Sequence, residues 1–591
     1  MKKAAYSQAV LRLGLAAQMA VMGPAPQAQA APKIPNDDAT AIHVLNRLTF
    51  GASPADLARV RQIGLDAWIE SQLGRSTAAD TALTTRLAPL ETLSMGTAEL
   101  REKFEIPPNI RPQVRKAQAA RDAAAEKGAP VAPGARYDEM DPKARREERG
   151  EMIKRFPELA KLQGTPQKVV AELQAGKVVR AAFAERQLEE VMVDFWFNHF
   201  NVYARKGPIE FMIGDYERAI RQRALGKFEN LLVSVARSPA MLFYLDNWQS
   251  TDPGFSPRDL YRRPVGANRA RQNGNRRPEG TPAGQQMAAG AKPPPPRTYG
   301  INENYARELM ELHTLGVDGG YTQADVVEVA KAFTGWTILG EGPGGPRRSK
   351  DSGFAFAVPA HVKGDKHVLG VTIKDGGEKE GLRILHLLAT QPSTAKFVSG
   401  KLVRRFVADN PPQALVDRAA ATFTRTDGDI REVVRTIVTS EEFLGPAYRA
   451  AKVKTPLEFV VSSVRASGAE VNNPNSLAER ISAMGMPLYM QQPPTGYKDT
   501  AEEWISTSSL LERMNFALDL SAGRLRGVSL DRGAKGADEK TVTLDSVAAQ
   551  ILPGGLSPKS RETIEAEGKK DGNDPSKLVG LVLGSPEFQR K

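Results

Sequence analysis

The spacing of hydrophobic residues along the chain is mostly helical. The segment "SPADLARVRQIGLDAWIESQLG" begins with Ser53 as a cap and Pro54 at the first helical position, and its apolar residues recur every three or four places. Similar patterns occur at 181–200, 215–224, 227–236, 302–315, 323–333, 382–389, 394–406, 412–424, 430–439, 456–467 and 506–520. This pattern predicts a mainly α protein with a bundle-like, multi-helix domain.

Strand patterns are few. "FAFAVPAHV" at 354–362 and "KHVLGVTI" at 366–373 alternate with a period near two, and they flank a turn-like "KGD". We therefore predict one small β-hairpin inside the helical protein.

The first thirty residues have the three-part layout of a secretory signal peptide. Lys2 and Lys3 give a positive start, "LGLAAQMAVM" is a short apolar run, and Ala28-Gln29-Ala30 supplies a small-residue cleavage pattern. No later run approaches the ~20 apolar residues that a transmembrane helix requires. We expect cleavage near Ala30 and a periplasmic or secreted protein without a transmembrane segment.

The rest of the chain is predicted to contain one main helical domain at 41–522. Two polar insertions interrupt it, at about 101–155 and 258–297, because both stretches are dense in charge or low in complexity. Residues 523–591 are predicted to form a polar loop and C-terminal helices that pack on the same domain.

Composition limits the chemistry. The 591 residues include no cysteine, which excludes disulfides, thiol catalysis and cysteine-ligated clusters. The formal charge of +12 suits an anionic partner such as a cell-surface polymer. We expect no nucleic-acid partner, because the protein is predicted to be exported.

No common catalytic motif is present. The six histidines do not form H-E-x-x-H, and the chain lacks G-x-S-x-G, the phosphate-binding loop and G-x-G-x-x-G after a strand. With no nucleotide, haem or iron–sulfur motif, the cofactor is left open, and a divalent metal stays a candidate.

The stretch "NENYARELMELHTLG" at 302–316 concentrates polar groups. At 100° per residue, His313 points about 160° away from Glu311, so a regular helix cannot bring both to one metal. Glu303, Arg307 and Glu311 are spaced four apart, as in ordinary helix ion pairs. This spacing favours a solvated or inter-helix polar face over a catalytic site.

His199 lies in "DFWFNHF", on the same predicted helix face as Leu188, Met192, Phe195 and Trp196. A histidine on such an apolar stripe is more often a hydrogen-bonded core residue than a ligand.

Several long motifs carry a resemblance to a known family. They are "HVLNRLTFGASPADLARVRQIGLDAWIESQL", "FWFNHF", "ARSPAMLFYLDNWQS", "NENYARELMELHTLGVDGGYTQADVVEVAKAFTGW", "KTPLEFVVSSVRA" and "QQPPTGYKDTAEEWISTSSLLERMNFAL". Together they resemble the bacterial "domain of unknown function 1800" family, from about residue 41 to residue 588. The resemblance implies an exported, largely helical protein without an established activity. It also implies a candidate partner, the exported, sulfatase-like family of unknown function 1501.

Two functional hypotheses follow. The first is a binding or accessory protein that acts with an exported partner or an anionic surface polymer. The second is an exported enzyme with a polar site between helices, in which Glu308 is the general base, Arg307 binds an anion, and His199 and His361 serve as acid or ligands. In that hypothesis a metal would be held by His199, His361 and Glu308. The further polar candidates are Asn198, Glu303 and Asn304.

Overall fold

Helices make up most of the described chain. The computed structural model describes residues 34–74, 79–117, 150–256, 300–340, 353–530, 543–572 and 574–591. The predicted signal peptide at 1–30, the insertion at 258–297 and the central part of the 101–155 insertion lie outside the described residues.

Several helices of the first half begin at a capping residue or a proline. At the first predicted helix, the Ser53 hydroxyl accepts a hydrogen bond from the Asp56 N–H, and the Asp56 carboxylate accepts one from the Ser53 N–H. The α-helices of this half are Asp38–Leu48, Pro54–Ile63, Leu65–Leu73, Thr81–Leu87, Thr97–Phe104, Pro166–Phe183, Gln187–His199, Ile209–Arg221, Phe228–Ala236, Pro239–Tyr244, Glu303–Glu308 and Gln323–Ala332.

The second half continues the helical packing. Its α-helices are Glu378–Ala389, Pro392–Phe406, Gln413–Arg425, Ile430–Val438, Glu441–Leu444, Pro456–Ser467, Pro474–Ala483, Ala501–Trp504, Thr507–Ser521, Leu544–Ile551, Pro558–Lys570 and Pro575–Leu583. Short 3-10 turns occur at Glu91–Ser94, Pro157–Lys161, Asn247–Gln249, Val358–Ala360 and Pro446–Tyr448.

The described strands form three two-stranded antiparallel sheets, which confirms the mainly α class with a small hairpin. The pairing differs from the predicted one, in which 354–362 faced 366–373. Phe354–Phe356 pairs with Trp336–Ile338, whereas Lys366–Val368 pairs with Val371–Ile373. Leu369 and Gly370 connect the latter strands with positive φ angles of 50° and 76°, which is the geometry of a two-residue hairpin turn. The third sheet pairs Glu470–Val471 with Val528–Ser529.

The 302–316 stretch is not a regular α-helix. The α-helix Glu303–Glu308 continues as a π-helix, Leu309–Thr314, and the Leu315 N–H donates to the Met310 carbonyl five residues back. Because the π-helical turn is wider, the rotation of 100° per residue assumed from the sequence does not apply there. Met310, His313 and Thr314 are buried, while Leu312 is partly exposed.

One contiguous hydrophobic core extends from Ile34 to Phe588. The aromatic end of Gln187–His199 lies in it, where Trp196 packs against Phe200 and Phe228. The C-terminal segment also contacts it, because Phe588 packs edge-on against Phe459. The division of the chain into domains stays a prediction. Within the described residues, no helix is long and apolar enough to cross a bilayer.

Candidate functional site

Three helices and the 486–500 loop enclose a cavity of about 440 Å³. The helices are Pro166–Phe183, Gln187–His199 and Pro392–Phe406. A cavity of this volume is within the range that small-molecule sites occupy, roughly 300–1,000 Å³.

The loop is attached to the end of the Gln187–His199 helix by a two-way amide contact. Asn198 Nδ2 donates to the Tyr497 carbonyl at 2.9 Å, and the Tyr497 N–H donates to Asn198 Oδ1 at 2.8 Å. Gly496 lies so close to Asn198 that a Cβ there would be 2.3 Å from the Asn198 carbonyl oxygen, and its φ is +68°. Only glycine fits this position without a shift of the backbone.

The start of the loop is held from a second side. The Ala204 N–H donates to the Tyr489 carbonyl at 3.0 Å, and Gln174 Nε2 donates to the Leu488 carbonyl at 2.9 Å. Tyr489 has a φ of +63°, and its hydroxyl donates to the buried Glu217 carboxylate. A tyrosine held in this backbone region indicates that the surrounding contacts fix the loop.

The cavity has more cations than carboxylates. Its charged lining residues are Lys177, Lys401, Arg404, Arg405, Lys498, Asp194 and Asp499. Some of these charges are paired: Lys177 Nζ lies 2.6 Å from Asp194, and Asp499 lies 3.2 Å from Lys452. The surplus of positive charge is expected to attract an anion.

Lys401 and Arg404, together with Lys498, provide that surplus. Among the described residues neither Lys401 nor Arg404 forms an ion pair; the Lys401 ammonium lies 5.4 Å from the Phe397 ring centre, and Arg404 Nε donates to the Asp409 carbonyl at 3.0 Å. Burial, followed by the charge of Arg404, lowers the pKa of Lys401 to about 8.

A buried ionic network lies behind the cavity. Arg405 is 2.9 Å from Glu458, which also pairs with Lys591. Burial alone would raise the pKa of Glu458, but Arg405 and Lys591 outweigh it and hold this pKa well below its usual range. Arg405 is therefore already neutralised by Glu458, whereas Arg404 and, below about pH 8, Lys401 are charged and without an ion-pair partner in the described part of the chain.

Aromatic side chains complete the lining, among them Phe195, Phe197, Tyr497 and Trp504. The Trp504 indole N–H is buried and has no hydrogen-bond partner among the described residues. An unpaired buried donor at the wall of a cavity is unfavourable, by ~1–3 kcal/mol, until something pairs with it.

His199 is both a core residue and a cavity residue. It is 2% exposed, and its Nε2 donates to the His313 carbonyl at 3.1 Å, which fixes the tautomer and leaves Nδ1 as an acceptor without a described partner. Burial and then the charge of Lys401 lower the pKa of His199 far below its ordinary value, so the ring is neutral. The π-helix supplies the carbonyl that holds this ring.

The candidate site residues predicted within 302–316 do not line the cavity. Arg307 Nη2 donates to Gln323 at 2.8 Å and lies 3.8 Å from Glu303. Asn304 is exposed, and Glu308 is partly buried, with its pKa raised by burial and by the neighbouring Glu311. The contact between Arg307 and Glu303 is the helix ion pair that their four-residue spacing predicts. Of the predicted candidates, Asn198 and His199 line the cavity.

His361 belongs to a separate buried cluster around Glu380. His361 Nε2 lies 3.1 Å from Glu380 Oε1, and Lys366 Nζ lies 2.6 Å from Glu380 Oε2. The N–H groups of Gly376 and Gly377 also donate to Glu380. The Lys366 ammonium is the cation that compensates this carboxylate.

The predicted metal set of His199, His361 and Glu308 is not brought together. His361 shares its surroundings with Asp375 and Glu380 instead; one ligand atom from each lies within 4.8 Å of the others. Because Lys366 is 1% exposed and already compensates Glu380, a structural ion pair explains this group without a metal.

Most of the residues that line the cavity were not predicted from the sequence. The sequence around Lys401 and Arg404 predicts an ordinary amphipathic helix. The loop residues Tyr497 and Asp499 were noted only as part of a long motif. The one useful signal was the pair Asn198-His199 at the end of an aromatic helix.

Residues 43–590 match the family described as "Protein of unknown function (DUF1800)". The chain belongs to this family. The match covers the cavity and the Glu380 cluster alike, so both are parts of the DUF1800 region. No curated protein and no solved structure is similar enough to add an activity to this assignment.

Proposed function

We propose that this DUF1800 protein is an exported binding or accessory protein whose cavity binds an acidic group of a surface polymer. The observation that carries the proposal is the pair Lys401 and Arg404, two cations without carboxylate partners in a cavity of about 440 Å³. An anion that enters would be attracted by both charges at once.

Aromatic lining suits a sugar ligand. The rings of Tyr497 and Trp504 lie 5.4 Å apart at the cavity wall, and aromatic faces pack well against the apolar faces of sugar rings. An acidic glycan therefore matches both the charge and the apolar surface. A sulfatase-like exported partner, which the family resemblance implies, would act on polymers of the same charge.

The enzyme alternative has weaker support. Its general base Glu308 and anion-binding Arg307 are outside the cavity lining, and His361 is engaged by Glu380. Export, with cleavage near Ala30, and a periplasmic or secreted location are part of the proposal and rest on the sequence of the first thirty residues.

Calorimetric titration of the mature protein with oligogalacturonate, sulfated dextran and neutral dextran tests the proposal. We expect the acidic polymers to bind and neutral dextran not to bind. Arg404→Gln should weaken binding about tenfold, the equivalent of roughly 1.4 kcal/mol. Arg59→Gln is the control, because Arg59 is an exposed arginine that contacts only Gln62 in the described structure. Equal affinity in the wild type and Arg404→Gln would overturn the proposal.

A further inference from the structure

The surroundings of Lys401 are unusual for a lysine. The side chain lines a cavity, it lies against the Phe397 ring, and no carboxylate within the described residues is in ion-pair range of it. Arg404 follows one helical turn later, so the nearest charge on its own helix has the same sign. Lys498, on the same cavity, is exposed at its rim.

Such surroundings favour the uncharged amine. An exposed lysine has a pKa near 10.4 and is almost fully protonated at neutral pH. In this cavity, burial and the charge of Arg404 lower the pKa of Lys401 to about 8, while Asp499 opposes the shift. Desolvation and a neighbouring cation are the two ways in which proteins make a lysine nucleophilic.

The groups around Lys401 leave its amine able to react. His199 and His313 are neutral, because burial lowers the pKa of both, in His313 to about 3. The Nη groups of Arg404 have no hydrogen-bond partner among the described residues, because the guanidinium donates to the Asp409 carbonyl through Nε. A guanidinium with free Nη groups binds a carboxylate through two parallel hydrogen bonds.

We propose that Lys401 is a carbonyl-reactive amine that forms an imine with an oxo acid, whose carboxylate binds to Arg404. The Lys401 nitrogen lone pair attacks the carbonyl carbon, and proton transfer from nitrogen to oxygen gives a carbinolamine. The C–O bond then breaks and water leaves with the second amine proton, so that amine and carbonyl yield one imine and one water. The inference deepens the proposed function: it relies on the same anionic pocket and adds a covalent step.

Reductive trapping tests the imine directly. The mature protein is incubated with pyruvate or glyoxylate and sodium cyanoborohydride near pH 8, and the adduct is mapped by peptide mass spectrometry. Beside the N-terminal α-amine, whose ordinary pKa is about 8, we expect one adduct per chain at Lys401, with roughly tenfold less at any exposed lysine, because exposed lysines are almost fully protonated. Propanal, which lacks the carboxylate, should label Lys401 more slowly.

Two variants distinguish this inference from anion binding alone. Lys401→Arg keeps the positive charge and should retain polymer binding while losing the adduct. Lys559→Arg removes an exposed lysine outside the cavity lining and should leave the adduct unchanged. Labelling spread evenly over surface lysines, no adduct in the wild type, or an equal yield in Lys401→Arg would each overturn the imine. A Lys401 adduct together with no binding of acidic polymers would instead overturn the proposed function and leave the imine standing.

Discussion

Two buried polar clusters in this protein differ in what they can bind. Around Glu380, the carboxylate contacts His361, Lys366 and two backbone N–H groups, so its charge is compensated within the protein. Around Lys401, the ammonium and Arg404 face a cavity without carboxylate partners. Burial of charge therefore does not identify a binding site; uncompensated charge beside accessible volume does.

The largest expected effect is at the closed cluster. Glu380→Ala leaves Lys366 buried without a counter-charge and should reduce the free energy of unfolding by ~3–5 kcal/mol. Chemical denaturation measures the change. Glu378→Ala on the same helix is the control, because Glu378 pairs with Arg237 at the surface, and such pairs contribute only ~0–1 kcal/mol. Equal losses in the two variants would mean that the Glu380 cluster is not the structural ion pair described.

The second effect concerns the loop that forms one wall of the open site. Gly496→Ala combines a left-handed backbone with a Cβ 2.3 Å from the Asn198 carbonyl oxygen, and should cost ~2–4 kcal/mol while weakening acidic-polymer binding. Gly485→Ala is the matched control: its φ is +97°, but no atom lies within 4 Å of the added Cβ. The difference between the variants isolates the contact with Asn198. If both variants lose the same stability and keep full affinity, the contact does not hold the loop.

The helical class and many helix starts were predictable because they depend on local chemistry. The cap at Ser53 and the proline at Pro54 act within one turn, and the structure confirms both. Strand pairing was less accessible, because a period of two indicates a strand and not its partner. Residues 354–356 therefore pair with Trp336–Ile338 and not with the following segment. The π-helix at Leu309–Thr314 was also missed, since its spacing differs from the α-helix by a single residue.

The site was mostly unpredictable from one sequence. Lys177, Lys401 and Asp499 lie on separate elements, and their meeting depends on tertiary packing that hydrophobic spacing does not specify. Asn198 and His199 were found because a polar pair ended an aromatic helix. His361 was assigned to the same site as His199, yet it lies in the cluster that Glu380 closes.

The third prediction compares the two clusters through one substitution. Lys401→Met removes a desolvated charge that has no partner, so the free energy of unfolding should stay within ~1 kcal/mol or increase. Lys366→Met removes the partner of a buried carboxylate and should destabilise the protein by ~3 kcal/mol or more. Parallel denaturation curves measure both. Only Lys401→Met should weaken the binding of acidic polymers. A large stability loss in Lys401→Met would show that Lys401 has a structural partner and that the comparison fails.

The smallest expected effect is a dependence of anion affinity on pH. Lys401 loses its proton near pH 8 in the folded protein, whereas the buried His199 and His313 stay neutral on either side of that pH. The ammonium attraction is therefore present below about pH 8 and lost above it, and affinity should fall about fivefold between about pH 7 and about pH 9, or roughly 1 kcal/mol.

Stability should change in the opposite direction. Because the pKa of Lys401 is lowered from its unfolded value of 10.5, the unfolded chain binds more protons than the folded protein between about pH 8 and 10.5. Lys401 therefore makes folding more favourable as the pH rises through that window. Titrations of wild type and Lys401→Arg separate Lys401 from other groups, since the arginine keeps its charge throughout and its affinity should stay level. A parallel fall in both proteins would assign the pH dependence to another residue and would remove Lys401 from the anion site.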